Sequence, residues 1–336
     1  MNMMNKTTIK TILWFLFALV CVALPKMLGS YYTGLFITMI IFAVYAVSLN
    51  MLLGYTGLMS FGHAIFFGFG GYGTALALKH IEGISLLPAI GIGVLASVLL
   101  ALVVSPVAAR VRGSAFAMVH LALGMFMYTL ALKLRGITGG EDGIGNFPTP
   151  GVEIFGLLSI SMEPGSLNFY YLVLIFLGGS LWLMWFFTKT PFGQVQQGIR
   201  DNLKRINYLG YQTILSRGLV YVLAAAFAGV AGSFYAIYSN LVSADGQFGI
   251  MVSFTPVTAS ILGGIGSFFG PILGTGIFFL LEEVVAEYTD RIELVIGALL
   301  VLAVLFTPMG LMGLVPVLRV RWAAWRAGSV EEEKTV

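Results

Sequence analysis

Long apolar runs are the feature that constrains this chain most. Eight of them follow one another, each close to the roughly 20 residues with which an α-helix crosses a bilayer. They cover residues 11–29, 34–53, 61–78, 86–109, 114–134, 167–187, 216–240 and 293–313. A spanning segment has to satisfy its own backbone hydrogen bonds, so runs of this length predict helices. We therefore predict an all-α fold, a polytopic transmembrane bundle.

Two regions need separate treatment. Residues 250–285 are apolar but broken by glycine and proline, which predicts two short spans or one span plus a re-entrant piece, about ten spans in all. The first run follows Lys6 and Lys10 and so resembles a signal peptide, but residues 25–29 form a poor cleavage site. We expect a retained first helix.

Composition supports one membrane domain over 1–336. Hydrophobic residues make up 58% of the chain and charged residues 10%, whereas a soluble domain has about 25% charged residues. Such a chain cannot cover a surface that faces water. The net charge of +3 is scattered, which does not indicate a nucleic-acid partner.

Lys and Arg predict the orientation, because basic loops stay in the cytoplasm. With alternating spans, most of these residues fall on the side of the N-terminus. This places both termini, the loop 188–215 and the tail 314–336 in the cytoplasm, and the Gly- and Pro-rich loop 135–166 outside.

Catalytic and metal-binding motifs are missing from the sequence. No P-loop is present, the three histidines are far apart, and we expect no bound cofactor or metal and no enzymatic activity. Charge within the spans is scarce: the candidates are Glu282, Glu283, His63 and His120. A transporter driven by an ion gradient would need these groups. Energy for uphill transport is therefore expected from a partner, while a passive channel or scaffold is the weakest alternative.

Two Gly-rich segments, 54–63 and 263–271, interrupt predicted spans. Interrupted helices in the two halves of a transporter point to a path for solute, but close helix packing explains small residues equally well. The candidate path residues are Asn50, Ser60, His63, Thr138 and Gly264, and each has packing as its alternative role.

The loop 188–215 contains an amphipathic pattern. Thr190 is a candidate N-cap and Pro191 the first helical residue, and Gly210 is a stop signal. Apolar residues then fall at steps of three and four: Phe192, Val195, Ile199, Leu203 and Ile206. The pattern predicts a short helix that either lies on lipid headgroups or docks another protein.

This loop resembles the cytoplasmic coupling loop of ATP-binding cassette (ABC) importer permeases. The resemblance is to the branched-chain amino acid permease family, LivM-type subunit, and covers most of the chain. Its motifs in the loop are Phe192-Gly193, Ile199-Arg200-Asp201-Asn202 and Leu209-Gly210-Tyr211. Elsewhere they are Gly54-Tyr55-Thr56-Gly57, Ser60-Phe61-Gly62-His63, Thr138-Gly139-Gly140 with Asp142-Gly143, and Gly263-Gly264 with Gly266 and Gly270-Pro271.

The resemblance implies a multi-pass subunit in the cell membrane of a prokaryote. A second, LivH-like permease would complete the path, two cytoplasmic ATPases would bind the ATP, and an extracytoplasmic binding protein would deliver solute. Arg200 and Asp201 would meet the ATPase, and Gly139, Gly140 and Asp142 would meet the binding protein. The implied solutes are branched-chain or other hydrophobic amino acids, with urea, short amides and aromatic acids as alternatives.

Overall fold

The computed structural model describes residues 22, 24–26, 29–154, 158–160, 162–289, 291–306 and 310–313. The predicted first span therefore lies largely outside the described residues, and the tail 314–336 lies wholly outside them.

Helices make up most of the described chain, as predicted, and four short strands accompany them. The first part runs α1 (Gly29–Thr56), α2 (Ala64–His80), α3 (Leu86–Ala108), α4 (Gly113–Lys133), α5 (Arg135–Thr138), β1 (Ile144–Gly145), β2 (Val152–Ile154) and β3 (Leu158–Ile160). The second part runs α6 (Leu167–Lys189), α7 (Pro191–Tyr208), α8 (Thr213–Ser239), β4 (Leu241–Val242), α9 (Ala244–Phe248), α10 (Ile250–Gly263), α11 (Gly270–Ala286) and α12 (Ile292–Phe306).

Among the described residues, five helices are long and apolar enough to cross a membrane: α1, α3, α4, α6 and α8. Their bounds lie within a few residues of the predicted spans. The region 250–285 forms two helices, α10 and α11, with a turn between them. At 14 residues, α10 is about 21 Å long, shorter than the roughly 30 Å hydrocarbon core.

The α1–α2 connection breaks the helical backbone inside the bundle. Residues 57–63 are almost wholly non-helical, yet Leu58 and Ser60 are buried. His63, at the end of this segment, lies beside Ser48, which is roughly 12 Å before the end of α1. The chain thus returns along α1 before α2 begins. Irregular backbone at this depth is tolerated because protein surrounds it.

The core lies where α2 packs against α3 and α8, with α1 against α8. Glycines allow the close approach: a Cβ on Gly232 of α8 would lie 1.9 Å from the carbonyl oxygen of Phe67 in α2. Hydroxyl groups add bonds between helices, since Ser97 Oγ donates to Phe66 O over 2.7 Å and Ser233 Oγ to Gly70 O over 3.1 Å. Small residues and hydroxyls of this kind are typical of membrane helix interfaces.

The loop 135–166 departs from the all-α prediction. β1 pairs antiparallel with β4, with Ile144 opposite Val242, and β2 pairs with β3. The β1–β4 pair ties this loop to the chain that follows α8. The loop 135–166 lies at one end of the bundle, and α7 lies at the other. We call these the opposite end and the α7 end.

Candidate functional site

The loop helix α7 begins and ends as its sequence predicts. Thr190 is its N-cap, and Thr190 Oγ1 accepts a hydrogen bond from Gly193 N over 3.3 Å. Pro191 occupies the first turn, where its missing N–H has no effect. Leu209 is the C-cap, and Gly210 follows with a φ of +87°. These capping predictions are confirmed.

A kink that the sequence pattern does not predict divides α7 at Asn202. Its φ and ψ are −154° and 93°, and its Oδ1 accepts from Arg205 N over 3.0 Å, which caps the second half. A Cβ on Gly198 would lie 2.7 Å from Ile206 Cδ1. In a straight helix these residues would be about 12 Å apart along the axis. The predicted short helix is therefore confirmed over Pro191–Tyr208, with a kink that its sequence pattern does not show.

The apolar stripe of α7 faces its own bundle. Ile199 is 3% exposed, and the rings of Phe192 and Phe187 meet edge to face at 5.4 Å between centroids. Gln196 is fully buried, and its Nε2 donates to Ser216 O over 3.4 Å, although the pattern placed it on the polar face. The corner between α6 and α7 is tight, because a Cβ on Gly193 would lie 2.5 Å from Phe187 O.

The outward face of α7 is polar. Apart from Pro191 in the first turn, the exposed side chains of α7 are those of Gln194, Gln197, Arg200, Asp201, Asn202, Lys204, Arg205, Asn207 and Tyr208. Tyr208 is 89% exposed, and Leu209 and Tyr211 beside it are also exposed. Within the described chain, two hydrogen bonds connect this face to other elements: Arg200 donates to Gly54 O, and Asn207 Oδ1 accepts from Thr213 Oγ1 over 2.7 Å. A partner bound here would meet charges, amides and the exposed rings of Tyr208 and Tyr211.

Arg200 reaches from α7 to the first Gly-rich segment. Its Nη1 donates a hydrogen bond to the carbonyl oxygen of Gly54, near the end of α1. A Cβ on Gly266, in the second Gly-rich segment, would lie 2.8 Å from the same Nη1. One guanidinium group therefore lies against both interrupted helices.

Asn50 joins the two Gly-rich segments directly. Its Nδ2 donates to Ser267 O over 2.9 Å, and its Oδ1 accepts from Gly266 N over 3.4 Å. Asn50 is fully buried, and a Cβ on Gly54 would lie 2.9 Å from Gly266 N. We call Asn50, Gly54, Arg200, Gly266 and Ser267 the junction. It brings together three sequence motifs that are far apart in the chain.

A second polar group lies deeper in the bundle. Ser48 Oγ donates its one proton to Tyr45 O over 2.7 Å. The Nε2 of His63 lies 2.9 Å from the same Oγ, and it therefore donates to that oxygen. The His63 ring stacks on Tyr45, and its Nδ1 is buried without a hydrogen-bond partner.

His120 forms a separate buried bond between α4 and α8. Its Nδ1 is 2.9 Å from Phe116 O, which only accepts, so a neutral ring carries its proton there. Its Nε2 then accepts from Tyr221 OH over 2.7 Å.

The predicted path residues do not form one cluster. Asn50 and Gly264 lie at the α7 end, and Ser60 and His63 lie inside the bundle. Gly264 is the C-cap of α10. Thr138 lies at the opposite end, where its Oγ1 is 2.8 Å from Leu134 O and accepts from Gly140 N over 3.3 Å. The structure thus distributes these five residues over three levels.

The predicted contact loop for a binding protein is a compact turn. Gly139 and Gly140 have φ of +78° and +66°, and Asp142 is exposed. A Cβ on Gly143 would lie 2.4 Å from Val242 O, which places the turn against β4.

Sequence analysis missed Tyr221 and Gln247. Tyr221 lies in an apolar run, so its pairing with His120 has no local signal. Gln247 is fully buried in α9 with both amide atoms lacking a hydrogen-bond partner, and a Cβ on Gly71 would lie 2.5 Å from its Oε1. In the sequence, a glutamine shortly after a span does not indicate a buried polar group, and only the fold shows that Gln247 is buried.

Fold and site define a helical, multi-pass membrane protein of the transporter class, in which a loop helix between two spans contacts interrupted helices. Residues 31–305 match the family model described as branched-chain amino acid transport system / permease component. The chain belongs to this family, and it is a permease subunit.

Named relatives agree with the family match. The chain is 27% identical to the high-affinity branched-chain amino acid transport system permease protein LivM of Salmonella typhimurium over 319 residues, 89% of this chain and 74% of the relative. LivM of Escherichia coli is 28% identical over 327 residues, 91% of this chain and 76% of the relative. The permease protein LivH of Escherichia coli is 31% identical over 130 residues, 38% of this chain and 42% of the relative. No solved structure matches the chain.

Proposed function

We propose that this chain imports branched-chain amino acids as one of two permease subunits of an ABC transporter. The observation that carries the proposal is the contact of Arg200 with Gly54, which connects the exposed loop helix to an interrupted span. Relatives with LivM and LivH names support the substrate and a permease pair. We further propose two cytoplasmic ATPases that bind the ATP and an extracytoplasmic binding protein, with no cofactor held by this chain.

The geometry supports a mechanical role for α7. A partner that binds the polar face moves a helix anchored to α6 at Gly193 and to α8 through the bond from Gln196 to Ser216. Arg200 then transmits the displacement to Gly54, and Asn50 transmits it to Gly266 and Ser267. Small shifts of this kind rearrange spans because packed interfaces have discrete arrangements.

The proposed topology has ten spans with both termini in the cytoplasm of a prokaryote. It adds the predicted span 11–29 to α1, α2, α3, α4, α6, α8, α10, α11 and α12. Successive spans must end at alternating sides of the membrane, and two contacts support this order. The end of α1 lies beside Arg200 at the α7 end. Gly310, which follows α12, lies at the same end, since a Cβ on it would be 2.3 Å from Gly264 Cα.

Contacts of the candidate coupling residues weigh against ion-driven transport. His63 and His120 both have buried hydrogen bonds within the chain. Glu283 accepts from Tyr31 OH at the start of α1, away from the junction. The energy source that the geometry favours is therefore a protein bound to α7.

Uptake in proteoliposomes tests the proposal. The chain is reconstituted with its permease partner, ATPases and binding protein, and leucine uptake is measured with ATP inside. We expect uptake to require ATP and to survive an ionophore that collapses ion gradients. Uptake that stops with the ionophore and proceeds without ATP would overturn it.

Sidedness is tested separately by cysteine labelling. Cys21 is the one cysteine of the chain, so a Cys21→Ala background is free of thiols. Lys204→Cys in this background should react with an impermeant maleimide from the cytoplasmic side, and Asp142→Cys from the outer side. Labelling of Lys204→Cys from outside would contradict the topology.

A further inference from the structure

A groove between α3 and α8 at the α7 end belongs to none of the sites described above. Its volume is about 670 Å³, within the range of small-molecule sites. We propose that it binds one anionic phospholipid, with the headgroup at the turn between α3 and α4 and an acyl chain along the two helices.

The mouth of the groove is positively charged. Arg110 and Arg112 line it, both are exposed, and Arg110 Nη1 donates to Pro106 O, which keeps this guanidinium at the groove. None of the residues lining the groove is acidic. Helices α4 and α8 both begin here without a side-chain cap, so their free N–H groups add positive potential. This mouth therefore favours an anion.

The inner part of the groove is apolar. Leu102 of α3 and Leu215, Leu219 and Val222 of α8 line it. Leu102, Leu215 and Leu219 are 52%, 58% and 48% exposed. From Arg110 to Leu102 the groove extends about 12 Å along α3. Charge at one end and leucine along the rest match the two parts of a phospholipid, whereas free phosphate would use the mouth alone.

Asn207, in the second half of α7, and Gln212, the N-cap of α8, also line the groove. A bound lipid would therefore contact the loop that carries Arg200. Its influence on transport rests on the proposed function, but lipid binding itself does not.

Native mass spectrometry on the purified full-length chain tests the proposal. Dioleoyl phosphatidylglycerol is compared with dioleoyl phosphatidylcholine, which has the same acyl chains and no net charge. We expect a clear preference for phosphatidylglycerol. The double variant Arg110→Gln/Arg112→Gln should lower its binding about fivefold for each arginine removed. Arg135→Gln, an exposed arginine at the opposite end, should leave binding unchanged.

A second variant separates the lipid from a free anion. Leu219→Trp keeps both arginines but fills the apolar part, so it should reduce phosphatidylglycerol binding. Equal binding of the two lipids, or unchanged preference in the double variant, would overturn the proposal. Displacement of the lipid by millimolar inorganic phosphate would show a free-anion site and would overturn the lipid assignment. Circular dichroism of each variant checks that the helices are intact.

Discussion

Arg200 Nη1 donates a hydrogen bond to the carbonyl oxygen of Gly54, although 146 positions separate the two residues. The bond crosses from the loop helix α7 to the last turn of α1. Asn50, one turn earlier in α1, forms hydrogen bonds with Gly266 N and Ser267 O in the α10–α11 turn. The two interrupted helices and the loop helix α7 therefore form one hydrogen-bonded unit, whose contacts lead to testable predictions.

Removing the guanidinium should uncouple transport from ATP hydrolysis. Arg200→Ala loses a charge-assisted hydrogen bond, typically about 1.5–3 kcal/mol, so leucine uptake should fall at least about tenfold. Arg200→Lys should restore only part of it, since an ammonium group lacks the planar fork. The control is Lys79→Ala, which removes an exposed cation at the C-terminal end of α2, outside the polar face of α7. Equal uptake by the Arg200 and Lys79 variants would contradict the role of the bond.

Adding one methyl group to the α10–α11 turn should destabilise the junction. Gly266 has a φ of +88°, so Gly266→Ala introduces left-handed strain of about 1–2 kcal/mol, and its Cβ would also lie 2.8 Å from Arg200 Nη1. The thermal midpoint in detergent should fall. Gly276→Ala in α11, which has no atom within 4 Å of its Cβ, should leave the midpoint unchanged or raise it. A midpoint of Gly266→Ala equal to the parent would argue against the close contact.

A charge on the inner face of α7 should unfold the loop, while the same charge on the outer face should not. Ile199 is 3% exposed, so Ile199→Asp buries an unpaired carboxylate and should lower both stability and assembly with ATPases. Gln197→Asp on the exposed face should keep the thermal midpoint within error. Limited proteolysis of the loop 188–215 compares them, and equal protection of both variants would place Ile199 outside the interface with the bundle.

The buried bond between α4 and α8 should contribute measurably to stability. Tyr221→Phe leaves His120 Nε2 without its 2.7 Å partner, which should lower the free energy of unfolding by about 1–3 kcal/mol. Tyr211→Phe, with its side chain half exposed, should stay within about 0.5 kcal/mol of the parent. Denaturation by a harsh detergent measures the free energy of unfolding of both variants. If Tyr221→Phe leaves that free energy unchanged, the bond does not contribute to stability.

Local features of the site were predictable from sequence. Thr190, Pro191 and Gly210 set the bounds of α7 through capping chemistry that acts within one helical turn. The kink at Asn202 was not predictable in the same way. Asn also occurs within helices, and the contact of Ile206 with Gly198 across the kink joins residues eight positions apart, beyond the reach of local capping chemistry.

The sequence by itself determined that this chain lies in a membrane as helices, because apolar runs of span length leave the backbone no other way to satisfy its hydrogen bonds. It also indicated both helix breaks, at the Gly-rich segments 54–63 and 263–271. Tertiary structure alone decided which polar groups meet: Asn50 with Gly266, Arg200 with Gly54, and His120 with Tyr221. These pairs depend on how helices pack in three dimensions, and no local pattern of residues contains that information.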